Sequence, residues 1–147
     1  MNREILFRGY NLKNKKWLYG YYFVNRGQHF ISPDEIVNPL ATPEDYLVDE
    51  STVSQYTGLN DYKGNKIFEG DIIALESRDN VGLILFNHDE AKYVSIIKYD
   101  YCTKPKKMWE HYGFKTTNSR LKEFGYVVIG NIYENEEIMS NTEIDNK

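Results

Sequence analysis

Cysteine is almost missing from this 147-residue chain, in which Cys102 stands alone. No intramolecular disulfide can form, and with no CxxC or Cys/His cluster a zinc site has no ligand set, which fits a reducing cytoplasm. Long apolar runs are missing too. Nothing approaches the ~18 residues of a membrane span, and the start, with charged Arg3 and Glu4, lacks the apolar segment of a secretory leader. The chain is therefore expected to stay inside the cell that makes it, away from membranes. A basic surplus is also lacking: 18 Lys and Arg against 22 Asp and Glu give a formal net charge of -4 and a pI near 5.4. That balance argues against a dedicated nucleic-acid binder. Two small clusters, Lys13/Lys15/Lys16 and Lys104/Lys106/Lys107, read as turn solubilisers.

Catalytic signatures are equally scarce. There is no Gly-rich phosphate loop, no GxSxG elbow and no HExxH. His29, His88 and His111 lie in separate segments with no spacing for shared ligation and read as solvated side chains. Cys102 is close to Lys104 but has no nearby histidine to activate it. Glu69 and Asp71 are two apart, so on an extended strand both would face one side, as hydrolase carboxylates do. Gly70 between them signals a bend, however, and an Asp entering a strand commonly accepts backbone N–H bonds. The expectation is no enzyme, no cofactor and no metal.

Aromatic residues are abundant, at 15% of the chain with 13 tyrosines. They fall in strand-like runs such as Leu18 to Phe23 and Tyr93 to Tyr99. Half-buried pleated surfaces favour such residues, so they argue for sheet ahead of base stacking. Strands are expected over Ile5–Tyr10, Trp17–Val24, Phe30–Ile31, Val53–Leu59, Asp71–Leu75, Val81–Asn87 and Lys92–Tyr101, with another at Gly125 to Ile132. Thr42 followed by Pro43 reads as the start of a helix of a turn or two. The stretch 104–124, with Met108, Trp109, Tyr112 and Leu121, reads as a helical turn or a long loop, with Ser119 a possible cap of a short helix. The fold expected is all-β with one or two short helices. An N-terminal antiparallel β region (1–63) joins a small SH3-like β-barrel (64–135), and a flexible acidic tail follows (136–147); one compact domain throughout is the alternative.

The run Thr52 to Ile73, TVSQYTGLNDYKGNKIFEGDII, carries the most information. Gln55 to Leu59 is strand-like, Asn60, Asp61, Gly64 and Asn65 are turn formers, and Lys66-Ile67-Phe68 resumes the strand. Asp61 can bond the backbone two residues on, and Gly58 is expected where a β-branched side chain does not fit. This run resembles the QYTGL-(K/N)D-x-x-G-x-x-I-(Y/F)-EGDI(V/I) core of the YopX family of phage and prophage proteins. Arg3 to Arg8 is similar to that family's REIKFR opening, and Val127 to Asn135 to its VIGNIYEN ending. Gly9-Tyr10 departs from a commoner Ala-Trp, and Asp100 to Leu121 shows no alignable pattern. The resemblance implies a phage origin, and so the cytoplasm of a bacterial host, but no active site that carries over residue by residue.

The polar and aromatic residues of the matching blocks are the candidate contacts for a ligand or partner: Gln55, Tyr56, Thr57, Asp61, Glu69, Asp71, Asn131 and Tyr133. The expected role is a phage-encoded, non-catalytic accessory protein that binds a host or phage macromolecule, most simply a protein. A binder of a nucleotide-like small molecule is the alternative, and nucleic-acid binding, disfavoured by charge, comes third. Aromatic surface and sheet edges also predict a homo-oligomer.

Overall fold

The computed structural model describes residues 4–33, 40–75, 80–89, 91–99 and 125–140. The reading of 104–124 and of Cys102 and His111 lies outside the described residues. The chain forms strands β1 (Phe7–Asn11), β2 (Lys16–Asn25), β3 (Gln28–Ser32), β4 (Ser54–Asn60), β5 (Lys66–Phe68), β6 (Asp71–Ala74), β7 (Asn80–Asn87), β8 (Lys92–Tyr99) and β9 (Val127–Asn131), with helix α1 (Glu136–Ser140). The protein is all-β, as the sequence predicts, and divides into two units, Met1–Gly58 and Leu59–Lys147.

In the first unit the hydrogen-bonded order is β3-β2-β1-β4. The period-2 alternation of β2 decides which face is inside. Leu18 and Tyr22 point to the side where Leu18, Ile31 and Val48 form a core, with Phe7 and Val53 packed against it. Each such aliphatic side chain contributes ~1.5–3 kcal/mol on full burial. Covering that face is the segment 42–53, which the buried side chain of Asn11 fastens. Its Nδ2 donates to the carbonyls of Glu44 (2.9 Å) and Leu47 (2.8 Å), while its Oδ1 accepts the Asn14 N–H. The helix start read at Thr42 is present as a single 3-10 turn, Pro43–Asp45, in which the Asp45 carboxylate accepts the Thr42 N–H at 2.8 Å. Residues 46–48 also run beside β3, through Ile31 N–H to Tyr46 (3.0 Å) and Val48 N–H to His29 (2.9 Å). That edge is not open.

In the second unit the end of β4 turns back into β5, and a four-stranded antiparallel sheet runs β8-β7-β6-β9. β6 is central and buried at every position, because both faces of the sheet are covered. On one face Ile67, Ile73 and Ile84 pack with Leu59, Tyr126 and Val128. On the other, Ile72, Ala74 and Val81 pack with Leu83, Ile129, Ile132 and Ile138. Ile138 belongs to α1, so the segment read as an acidic tail (136–147) opens with a short helical turn packed on the sheet. Residues 141–147 lie outside the described residues.

Candidate functional site

Asp61 opens the β4–β5 loop and is fully buried. Its Oδ1 accepts the backbone N–H groups of Lys63 (2.9 Å) and Asn65 (2.8 Å), as a local Asx turn would. Its Oδ2 accepts Asn65 Nδ2 (3.0 Å) and, across the fold, the Val128 N–H of β9 (3.0 Å). The Tyr62 N–H adds a bond to the Tyr126 carbonyl at 2.8 Å. Burial pushes the carboxyl up, but the hydrogen bonds from Asn65, Val128 and Lys63 outweigh it and hold the group below the usual carboxylate range. A carboxylate offers about four lone-pair sites, and here they are committed to the loop and to β9.

Glu69, Asp71, Asn131 and Tyr133 come together at one end of the β6–β9 ladder, where Asp71 is paired in register with Asn131. The Phe68 N–H donates to Asp71 Oδ2 at 2.7 Å, closing the turn through Glu69 and Gly70. Gly70 donates to the Ile84 carbonyl (2.8 Å) and accepts from the Ile132 N–H (2.9 Å), so this one residue joins the ladders on both sides of β6. It has φ +80°, and a Cβ on it would lie 3.0 Å from Tyr133 Cε2, so the tyrosine ring covers a position that only glycine fills without strain. Asn131 Oδ1 accepts the N–H groups of Tyr133 (3.0 Å) and Glu134 (3.1 Å), while its Nδ2 donates to Glu134 Oε2 at 2.9 Å. Asp71 and Asn131 are buried and accept backbone N–H groups, whereas Glu69, which sequence places on one strand face with Asp71, is half-buried.

Gln55, Tyr56 and Thr57 belong to β4 in the first unit and are not part of this cluster. Tyr56 is buried and its N–H donates to the Leu6 carbonyl at 2.8 Å, while Gln55 stands opposite Phe7.

The signature turn at Phe68–Asp71 and the turn after β9 are thus one physical object, the first beside β6 and covered by Tyr133 of the second. The family model described as YopX protein matches residues 6–140. The chain belongs to the YopX family. Among solved structures, this YopX-family chain is similar to the crystal structure of protein EF1440 from Enterococcus faecalis, with a TM-score of 0.50 and 20% identity over 94% of this chain and 99% of that one. At that identity the likeness concerns the fold alone. No curated protein matches the chain.

Sequence reasoning missed three features of this YopX protein. His29, read as a solvated histidine, is held between elements: its Nδ1 lies 2.6 Å from the Tyr22 hydroxyl and its Nε2 3.4 Å from Glu50 Oε2. Lys13, read as a solubiliser, donates to Asp45 Oδ1 at 2.8 Å and ties the β1–β2 turn to the 3-10 turn. Finally, Tyr19, Tyr21 and Phe23 of β2 stand about half exposed on the face opposite the core. Among the described residues no three His, Cys, Asp or Glu side chains gather as a metal site, and no helix is long and apolar enough to cross a membrane.

Proposed function

We propose that this YopX-family protein is a phage or prophage accessory protein that catalyses nothing and acts by binding a host or phage protein in the bacterial cytoplasm. On this reading the second unit is an SH3-like barrel drawn from β5 to β9, a scaffold that presents loops and faces. The observation that supports it is the use made of the signature's polar groups. Asp61, Asp71 and Asn131 are buried and bonded to backbone N–H groups of neighbouring turns. Groups so engaged stabilise turns, whereas a general acid, base or nucleophile must reach a substrate.

Native mass measurement of the protein purified from a lysogenic or infected host tests the reading. A retained protein supports it. A retained compound of a few hundred daltons instead favours the nucleotide-like alternative, and salt-sensitive retention of nucleic acid favours the third. Turnover of a nucleotide, peptide or ester substrate by pure protein, lost in a folded Glu69→Gln variant, would overturn it.

A further inference from the structure

The register of the first unit sorts its strands into two unlike faces. Residues directly opposite in antiparallel pairs share a face, so Arg8 with Tyr19, Tyr10 with Trp17, Tyr21 with Ser32 and Phe23 with Phe30 all lie on the side away from the core. On β1, β2 and β3 this side holds aromatic rings, amides and a hydroxyl, and no carboxylate. Its one charged residue, Arg8, is buried with its guanidinium 4.9 Å from the centre of the Trp17 ring. The acidic residues of this unit's covering segment, Glu44, Asp45, Asp49 and Glu50, flank Val48, which packs on the other face. Along the middle of the uncharged side Tyr19, Tyr21 and Phe23 are 50%, 54% and 47% exposed.

We propose that two copies of this chain associate through this face, about a two-fold axis that passes at Tyr21. Charge selects the occupant. An extended nucleic acid needs cations along its phosphates, and an acidic or basic protein partner needs a complementary charge; the face offers neither. A second copy needs none, and by meeting here two chains of net charge -4 bring together strand faces of β1, β2 and β3 that carry no carboxylate. Area agrees. Half-exposed aromatic rings contribute ~75–125 Å² each, ~300 Å² for the stripe, within the size range of the largest apolar patch on a typical monomer, which is often functional. A standard interface buries ~800 Å² per partner, so the stripe supplies its apolar centre, with Asn25, Gln28 and Ser32 at the rim. Alternate residues on a strand are ~6.8 Å apart, so antiparallel stripes centred on Tyr21 set Tyr19 of one copy against Phe23 of the other.

The test is light scattering on the full chain at ~50 µM, a concentration at which a dimer of ordinary affinity is populated. The expected mass is twice 17.4 kDa. Tyr21→Arg and Tyr21→Glu each place two like charges at the axis and should weaken association ~30-fold or more, with thermal melts near that of the parent because the side chain is exposed. Mixed, the two variants should recover the dimer, since residue 21 then meets its opposite charge. If a variant at 21 does not fold, Tyr19→Arg mixed with Phe23→Glu gives the same complementation one step from the axis. A wild-type monomer, an oligomer that survives both charges, or folded variants that stay monomeric when mixed would each overturn the proposal.

Discussion

Removing the Asp61 carboxylate is the sharpest way to probe what the signature does. In Asp61→Ala the N–H groups of Lys63, Asn65 and Val128 and the Asn65 amide lose their acceptor together. Hydrogen bonds to a charged group contribute ~1.5–3 kcal/mol each, but four such values do not add here. Tyr62, Lys63, Gly64 and Asn65 are exposed, so water can refill the loop side. Water replaces least well the bond to Val128, which comes from a strand that packs on the Ile67, Ile73 and Ile84 core. The expected loss is ~2–4 kcal/mol, or ~6–12 °C in melting temperature at ~3 °C per kcal/mol. Asp61→Asn keeps one acceptor but turns a donor toward a donor, so it should lose about half as much or more. The pH dependence separates charge from shape. Because the folded carboxyl is held below its unfolded value of ~3.9, its stabilisation is complete above that value and is lost as pH falls through the lower folded one. The gap between wild type and Asp61→Asn in urea denaturation should therefore be wide at pH 7 and narrow as the pH falls below ~4. An Asp61→Ala protein that melts within ~2 °C of wild type, less than 1 kcal/mol, would refute the reasoning.

Three further outcomes are expected. Asp71→Ala should cost ~1–3 kcal/mol in denaturant melts, since the Phe68 N–H loses a buried acceptor; an unchanged melt with binding abolished would make the residue a contact and not a support. Gly58→Val should cost roughly 1–2 kcal/mol, and Gly58→Asn less, because the penalty comes from φ +86° and not from crowding, there being no atom within 4 Å of an added Cβ. Equal losses for Val and Asn would argue against the backbone account. Asp45 should titrate, by NMR, well below the usual carboxylate range, held there first by Lys13 and then by the Thr42 N–H and Asn14; its stabilising bonds fade only in strong acid. In Lys13→Ala that titration should move up while the melting temperature stays near wild type, as an exposed ion pair gives little stability.

Local patterns made most of the strands legible. β2 alternates, β1 and β2 are joined by a polar turn, and Asn60 to Asn65 holds the residues a hairpin loop needs, so strand and turn positions followed from spacing alone. The Asp61 bond to Lys63 was legible as well, being two residues long. Its bond to Val128 was not, because nothing local in a turn records a partner 67 positions away. The reading of Asp71 as an acceptor for backbone N–H groups came from its place at a strand start, and the geometry agrees. Which face of β2 would be exposed was hidden, since rings occupy both: Tyr22 faces the core, and Tyr19, Tyr21 and Phe23 face away. Helix α1 escaped notice because a single anchor, Ile138, has no period.

Sheet order also fixes when each unit can be completed during synthesis. The ladders β1–β2, β2–β3 and β1–β4 join residues between 7 and 55, so the first unit can form its pairings while the rest of the chain is still being made. The second cannot, for β6 lies between β7 and β9, and Asp71 finds Asn131 only after sixty more residues have been added. Until then β6 has a bare edge, and the buried acceptor at Asp61 waits for Val128. A vectorially made chain therefore passes through a stage with a finished sheet followed by an incomplete one, and its most exposed moment falls just before the last strand arrives.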